Sequence, residues 1–356
     1  MSAEGPSGGA LTDYEYVLPI ELIAQHPPAQ RGDSRLMHLP AEGPARHLHF
    51  SDLPGLLRDG DLLVINDTRV IPARIRFQHH GRDAEILLLE RLLGRDTWEC
   101  LVRPAKRAAV GVRLQLRFGL WADVVGQELD GRRRLRFAPE GRLDQLLPEM
   151  GEMPLPPYIH QALADPERYQ TVFAKEPGSA AAPTAGLHFT EALLATLADA
   201  GVRRTEVTLT VGLDTFQPIR EEDLDRHRMH SEAYRIPPHA RAEIDACRTR
   251  GGRVVAVGTT VARALEAAAA RRAVGEPQPD WGRTDIFIRP GHVFAEVNML
   301  LTNFHLPKST LLVMISAFSG RERILSAYAE AVRERYRFFS FGDAMLLEPA
   351  GAGSST

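Results

Sequence analysis

The amino-acid sequence predicts an α/β fold, in which a small β-barrel-like domain is inserted into a larger mixed α/β domain. From about residue 74 to residue 150, short apolar runs alternate with glycines, which is typical of a small barrel or sandwich. The rest of the chain alternates strand-like and helix-like segments, as α/β sheets do. One strand-like segment, DLLVIND (61–67), precedes the barrel-like region and the others follow it, so this region is predicted to be an insertion.

These patterns also predict the domain boundaries. The larger domain is assigned to residues 11–73 and 152–349, and the inserted domain to residues 74–151. The two ends, 1–10 and 349–356, consist mostly of small and polar residues and are expected to be disordered. A chain of 356 residues, 44% of them hydrophobic, is long and apolar enough to form two such domains.

The individual elements are predicted from periodicity and from signals at their ends. Thr190 is the expected N-cap of a helix that ends before Gly201, and Pro238 begins a helix that ends before Gly251. In the inserted region, strands are predicted in AEILLLERL (84–92), TWECLVRP (97–104), VRLQLRF (112–118), WADVVGQ (121–127) and RRRLRFA (132–138), and a helix in LDQLLPEMG (143–151). In the larger domain, strands are predicted in TEVTLTVG (205–212), RVVAV (253–257), TDIFI (284–288) and DAMLL (343–347), and helices in VARALEAAAARRA (261–273), KSTLLVMISAF (308–318) and RERILSAYAEAVRERY (321–336).

Composition excludes several protein classes. No apolar run is long enough for a membrane span, and the N-terminus lacks the basic and apolar regions of a secretory signal. Cys100 and Cys247 lie far apart, so neither a disulfide framework nor a cysteine-rich zinc site is expected. We therefore expect a cytoplasmic protein that has no membrane partner.

The positive charge is concentrated in the inserted region. Residues 91–142 contain 12 Lys and Arg against 6 Asp and Glu, a balance of +6, whereas the whole chain has a net charge of −3. Such a segment is either a face that binds phosphates or a solvated strand surface, and charge alone leaves both interpretations open.

Two motifs place polar groups at the ends of predicted strands. VVAVGTTVARALE (254–266) is a strand, a glycine turn and a helix, whose N-terminus either binds an anion or is capped by its own threonines. It has one glycine where a dinucleotide-binding fingerprint has three, and no lysine of a P-loop. LLTNFHLPKST (300–310) brings Asn303, His305 and Lys308 to the end of a buried strand, where open α/β sheets bind ligands.

Other motifs have two interpretations each. HRMHSEAYRIP (227–237) is either an anion site with a proton-transferring histidine or a surface charge network, and its two histidines are also conceivable metal ligands. AAPTAGLHFT (181–190) places His188 at a constrained turn, as packing or as a site residue. NDTRVIPAR (66–74) and GEMPLPPYIH (151–160) are the two crossings between domains, and a cleft between domains is a common ligand site.

These motifs closely resemble the S-adenosylmethionine:tRNA ribosyltransferase-isomerases of queuosine biosynthesis. The resemblance extends from about Asp13 to Leu347 and includes AQHPPAQRGDSRLM, NDTRVIPAR, MPLPPYI, RYQTVFAKEPGSAAAPTAGLHFT, HRMHSE, VVAVGTT, TDIFI, LLTNFHLPKSTLL and ERYRFFSFGDAML. Two positions depart from the family pattern. Asp214 occupies the place of a usual glycine in VGLDTF, and GTTVARALE lacks two hydroxyls of the commoner GTTSVRTLE.

The resemblance implies an activity and its partners. The ribosyl group of S-adenosylmethionine would be transferred to 7-aminomethyl-7-deazaguanine in a tRNA anticodon and isomerised to epoxyqueuosine, and adenine and methionine would leave. S-adenosylmethionine would be consumed as a substrate, so no cofactor and no metal are expected. The protein would act as a monomer.

The chemistry of this reaction assigns candidate roles. A sulfonium makes the neighbouring ribose C5′–H acidic, and a histidine is suited to remove that proton, with His188 and His305 as leading candidates and His230 third. Candidate substrate-binding residues are Thr184, Gly186, Arg228, Glu232, Gly258, Thr259, Thr260, Arg289, Asn303 and Lys308. Candidate tRNA-binding residues are Arg69, Arg74, Arg103, Lys106 and Arg107.

Two other functional classes compete with this one. A methyltransferase would use the same sulfonium substrate, but its glycine-rich first turn is not found in the sequence. A non-catalytic RNA-binding module would leave the polar strand ends of the larger domain unexplained.

Overall fold

The fold is a mixed α/β structure with two main sheets. The computed structural model describes residues 9–92, 96–128, 131–161, 163–210, 223–227, 229, 231–277 and 279–351. Its strands are β1 (Arg35–Leu39), β2 (Arg46–His49), β3 (Leu62–Asn66), β4 (Thr68–Val70), β5 (Arg74–His79), β6 (Arg82–Arg91), β7 (Thr97–Arg103), β8 (Arg113–Gln115), β9 (Trp121–Gln127), β10 (Arg133–Ala138), β11 (Gly151–Glu152), β12 (Glu176–Ser179), β13 (Arg203–Thr210), β14 (Glu232–Arg235), β15 (Val254–Val257), β16 (Trp281–Thr284), β17 (Met299–Asn303) and β18 (Ala344–Leu347). Its α-helices are α1 (Arg142–Met150), α2 (Glu191–Asp199), α3 (Pro238–Thr249), α4 (Thr259–Ala273), α5 (Thr310–Ser319) and α6 (Arg321–Arg333).

The larger sheet has nine strands within the described residues, in the order β16-β14-β13-β3-β15-β17-β18-β1-β2. Strands β13, β3, β15 and β17 are parallel to one another, and β18 runs antiparallel to β17. Every residue of β3, β15 and β17 is buried, which explains their continuous apolar sequences. The carboxyl ends of the four parallel strands therefore meet at one edge of the sheet.

The helices cover this sheet, and α2, α3 and α6 begin where the sequence predicts. The Thr190 hydroxyl accepts a hydrogen bond from the Leu193 N–H, which confirms Thr190 as the N-cap of α2. Helix α3 begins at Pro238, as predicted. Helix α4 is buried along most of its length, and α5 is capped by Ser309. In the described part of the chain, no helix is long and apolar enough to cross a membrane.

The inserted region forms a separate, curled sheet. Its antiparallel strands follow the order β11-β5-β6-β7-β10-β9-β8, and β8 returns to contact β5. The strands enclose their own apolar core, which includes Trp98 and Phe137 and which α1 closes with Leu143 and Leu147. This half-barrel confirms the predicted fold class.

Three segments differ from the sequence-based expectation. TDIFI (284–288) was expected to be a strand, but β16 ends at Thr284. The reason is local, because the Thr284 hydroxyl accepts a hydrogen bond from the Ile286 N–H and turns the chain. Strands β1 and β2 were not predicted. In the segment 227–237, β14 forms between β13 and β16.

Candidate active site

A cleft opens at the carboxyl ends of β15 and β17. It encloses about 840 Å³ of space, including its open mouth. This position is that of ligand sites in open α/β sheets. Its lining comprises Tyr158, Ala182, Pro183, Thr184, Ala185, Gly258, Thr259, Thr260, Thr302, Asn303, Phe304, His305, Leu306, Pro307, Lys308, Ser309, Leu311, Phe339 and Ser340.

Two helices point their N-termini at this cleft. Gly258 precedes α4 with a φ of +98°, a conformation that favours glycine, and Thr259 and Thr260 form the first turn of the helix. Ser309 is the N-cap of α5, and its hydroxyl accepts from the Leu312 N–H at 3.2 Å. Free N–H groups at helix N-termini attract anions, so this wall of the cleft is suited to a carboxylate or phosphate.

His305 lies in the wall of the cleft. It follows β17, and its exposed fraction is 8%. The Tyr328 hydroxyl accepts from its N–H at 2.9 Å, and the Tyr16 hydroxyl donates to its carbonyl oxygen. Its Nε2 forms a hydrogen bond of 2.8 Å with the Thr302 hydroxyl. Burial lowers the pKa of His305 to about 3, so the imidazole is neutral at pH 7.

His188 lies behind the cleft and contacts it through Asn303. The Asn303 Nδ2 donates to His188 Nε2 at 3.2 Å, and the Asn303 Oδ1 accepts from the Thr184 hydroxyl at 2.9 Å. Because Nε2 accepts, the proton of the neutral imidazole is on Nδ1, which is 2.9 Å from the Ser34 hydroxyl. Asn303 and Thr184 line the cleft, whereas His188 is 3% exposed and lines a separate small cavity.

Burial also holds His188 in the neutral form. Desolvation, with smaller contributions from the positive charges of Arg337 and Arg31, lowers the pKa of His188 to about 3. The neutral ring keeps Nε2 available as an acceptor, so the amide of Asn303 has a fixed orientation toward the cleft.

Part of the cleft wall is aromatic. The rings of Tyr158 and Phe339 lie 4.8 Å apart between centroids, and the Tyr158 and Ser340 hydroxyls form a hydrogen bond. Phe339 and Lys308 both have a left-handed backbone, with φ of 70° and 55°. Such strain in non-glycine residues is concentrated at functional sites, which agrees with the location of the cleft.

Lys308 supplies a positive charge at the mouth of the cleft. Its Nζ lies 2.9 Å from a carboxylate oxygen of Glu15, and both side chains are partly exposed to solvent. The backbone N–H of Lys308 donates to the Tyr14 carbonyl oxygen, which ties this position to the N-terminal segment.

Three predicted substrate-binding residues do not line the cleft. Gly186 is packed so closely that an added Cβ would lie 2.8 Å from the Phe173 ring, which explains the glycine by packing. Glu232 forms a buried ion pair with Arg263 of α4. Arg289 pairs with Asp225 at the surface. Arg228, His230 and Asp214 lie outside the described residues.

The candidate tRNA-binding residues occupy two places. Arg69 is paired with Glu167 at 2.5 Å, and Arg74 lies 3.7 Å from Glu85, so both have carboxylate partners. Arg103, Lys106 and Arg107 lie at one end of the curled sheet, where β7 leads into a short 3₁₀ turn. In the described residues, no group of three or more His, Cys, Asp or Glu side chains is placed to hold a metal ion.

Several cleft residues were not proposed from the sequence. Tyr158 belongs to the proline-rich crossing that was interpreted as a linker, and Phe339 and Ser340 belong to the quoted segment ERYRFFSFGDAML. Ser34, the partner of His188, is 154 positions away in sequence. No local pattern pairs residues at such a separation.

The fold and the cleft define an α/β protein with an inserted half-barrel and a cleft at the strand ends that two helix N-termini make suitable for an anion. The model of the family described as "Queuosine biosynthesis protein" matches residues 11–347. The chain belongs to this family.

Relatives and a solved structure agree with this assignment. The chain is 54% identical over 341 residues to an S-adenosylmethionine:tRNA ribosyltransferase-isomerase of Symbiobacterium thermophilum, covering 95% of this chain and 99% of the relative. It is also 54% identical over 345 residues to the protein of that name from Anaeromyxobacter dehalogenans, covering 95% and 99%. The crystal structure of an S-adenosylmethionine tRNA ribosyltransferase from Thermotoga maritima is 40% identical, covers 94% of this chain and 99% of its own, and has a TM-score of 0.55.

The buried neutral histidines predict a stability that falls in acid. In the unfolded chain, histidine binds a proton below about pH 6.5, whereas folded His188 and His305 bind it only near pH 3. The free energy of unfolding should therefore decrease as the pH falls from about 6.5 to about 3, by up to about 1.4 kcal/mol per pH unit for each histidine. Urea denaturation across this range measures the slope.

The matched variants are His188→Gln and His239→Gln, because His239 is exposed on α3. The first should flatten the pH dependence and the second should leave it unchanged. Equal slopes for His188→Gln and the unsubstituted protein would contradict the assignment of a neutral, buried His188.

Proposed function

We propose that this protein is an S-adenosylmethionine:tRNA ribosyltransferase-isomerase. It transfers the ribosyl group of S-adenosylmethionine to 7-aminomethyl-7-deazaguanine in a tRNA anticodon and isomerises it, giving epoxyqueuosine-tRNA, adenine and methionine. The observation that carries this proposal is the nearly full-length match to relatives of that name. Several motifs of the chain also meet in one cleft, which is lined by two helix N-termini, a histidine and two aromatic rings.

The substrate makes three demands on the cleft. The acidic C5′–H next to the sulfonium needs a base, the departing adenine needs a proton or a hydrogen bond, and the methionine carboxylate needs a positive potential. The sulfonium itself is stabilised by an aromatic face. The described residues offer a group for each demand.

His305 is the proposed proton-transferring group. It lines the cleft, and at pH 7 its ring is neutral, the form in which an imidazole nitrogen can accept a proton. His305 can then pass the proton to the departing adenine, so one imidazole serves as base and acid.

His188 is proposed as a positioning residue. Its Nε2 is occupied by the Asn303 amide, and it does not line the cleft. The chain of hydrogen bonds from Ser34 through His188 and Asn303 to Thr184 fixes two polar groups that face the substrate. The aminomethyl group or a ribose hydroxyl is a suitable partner for the Asn303 amide.

We propose that the methionine carboxylate binds at the N-terminus of α4. Thr259 and Thr260 offer backbone N–H groups and hydroxyls there, and Lys308 adds a charge at the mouth of the cleft. Tyr158 and Phe339 form the wall against which adenine or the sulfonium packs. Arg289 does not line the cleft and is not included in this set.

The proposal extends to cofactors, location and assembly. S-adenosylmethionine is consumed as the ribosyl donor, and no further cofactor takes part. The protein acts in the cytoplasm as a monomer, with the tRNA as its macromolecular substrate.

The products test the proposed function directly. The protein is incubated with S-adenosylmethionine and tRNA containing 7-aminomethyl-7-deazaguanine, and the small molecules are separated by chromatography. Adenine and methionine should appear together with a ribosyl-derived adduct on the tRNA. The same tRNA with unmodified guanine is the control and should give no adduct. Formation of S-adenosylhomocysteine, or no adenine release, would contradict the proposal.

Substitution of His188 separates a positioning role from a catalytic one. In His188→Gln, the amide oxygen can still accept from Asn303, so kcat should stay within about tenfold of the unsubstituted enzyme. In His188→Phe, the ring volume is kept but the acceptor is lost, so kcat should fall further. Loss of a general base costs about 10²- to 10⁴-fold. If folded His188→Gln is as inactive as His188→Phe, His188 is not a positioning residue.

A further inference from the structure

The end of the curled sheet contains a wide groove. It is lined by the end of β5, the start of β6, the end of β7 and the end of β8, and includes Arg76, Arg103 and Arg117 together with the carboxylates of Asp83 and Glu85. It encloses about 1750 Å³ of space, including its wide mouth. An open groove of this kind can hold a segment of a polymer.

Cations without a carboxylate partner border this groove. Elsewhere on the sheet, arginines are neutralised, as in the pairs Arg113–Asp123 and Arg132–Glu99. A second group, which we call the basic rim, forms no ion pair with a described carboxylate. The basic rim consists of Arg103 and Arg117, which line the groove, and of Arg82, Lys106 and Arg107, which lie next to its lining segments in sequence.

Two hairpin tips at the groove place aromatic rings in solvent. The β5–β6 tip has His80 and Gly81 at φ of 50° and 70°, and the β8–β9 tip has Phe118 and Gly119 at 56° and 71°. Two successive left-handed residues define a type I′ turn, in which asparagine is favoured at the first position. A phenylalanine ring at that position is strained, whereas histidine adopts a left-handed backbone more readily. The His80 ring is exposed and contacts the His79 ring at 4.2 Å between centroids, and Phe118 is 49% exposed. Core packing therefore does not account for the Phe118 ring.

The surroundings of Phe118 leave one side of its ring available. The Arg117 guanidinium lies 4.9 Å from the ring centroid, in cation–π geometry. A base stacked on Phe118 would extend this arrangement, as arginine and aromatic side chains do in single-stranded RNA sites.

We propose that this end of the half-barrel binds unpaired nucleotides of the tRNA. Phe118 and His80 stack on bases, and the basic rim contacts the phosphates. The identity of the RNA rests on the proposed function, but the surface is inferred from the exposed aromatic tips, the strained Phe118 and the unpaired cations. These features distinguish an RNA site from a protein-binding face, which does not need unpaired cations beside the groove.

The test uses a substitution that favours the turn but removes the ring proposed to stack on a base. Phe118→Asn gives the favoured Asn-Gly sequence of a type I′ turn, so Tm should be unchanged or raised. Loss of one stacked base should weaken tRNA binding by about 5- to 100-fold, measured by fluorescence anisotropy with labelled precursor tRNA. The KM for tRNA should rise, whereas the KM for S-adenosylmethionine should not change. Phe118→Trp should restore binding.

Two further variants complete the experiment. Val274→Asn changes an exposed apolar residue after α4 and should bind tRNA normally. Arg103→Gln should lower the dependence of log affinity on log salt by about 0.7 for one lost single-strand phosphate contact. Unchanged tRNA affinity in Phe118→Asn, or a fall in affinity together with a lower Tm, would overturn the inference. Failure of the unsubstituted protein to bind tRNA or release adenine would instead overturn the proposed function.

Discussion

The parallel packing of buried strands is the constraint on which the site depends. Strands β3, β15 and β17 are enclosed on both faces, so polar side chains are costly along most of their length. The sequence becomes polar where the strands end, at Asn303 after Leu301 and at Thr259 after Val257. Because these strands are parallel, their ends meet, and the helices that follow begin there with free N–H groups. The cleft is thus a direct consequence of how the sheet buries its apolar residues.

Desolvation and strain give this cleft its chemical character. The same burial that stabilises the sheet keeps the imidazoles of His188 and His305 neutral, so one can accept a proton and the other can hold an amide. Non-glycine residues with left-handed backbones occur in the cleft, at Lys308 and Phe339, and at the hairpin tips of the half-barrel. Each such residue costs about 1–3 kcal/mol of folding free energy, a cost that selection for stability alone would not favour. The same argument from backbone strain therefore applies to the cleft and to the proposed RNA surface.

Sequence reasoning predicted the elements whose signals are local. Periodicity and capping located the helices from Thr190 and Pro238, and the rule on strand ends brought Asn303, His305 and the GTT turn together. Long-range partners were not predictable. Arg289 and Glu232 are neutralised by Asp225 and Arg263, and nothing in the sequence pairs them.

The inserted half-barrel was predicted from glycine spacing, but its unpaired cations were distinguishable from its paired ones only in three dimensions. The prediction of a strand in TDIFI (284–288) was wrong, because a hydrogen bond to the Thr284 hydroxyl turns the chain there. The domain boundaries and the residue roles stay predictions.

The proposed reaction requires that the cleft at the carboxyl ends of the strands binds S-adenosylmethionine with its carboxylate at α4 and its ribose beside His305. A crystal structure of the protein with S-adenosylmethionine tests it most directly. The carboxylate should lie within hydrogen-bond distance of the Thr259 or Thr260 N–H groups, and C5′ should lie beside the His305 ring. A carboxylate bound elsewhere, with C5′ beyond the reach of His305, would contradict it.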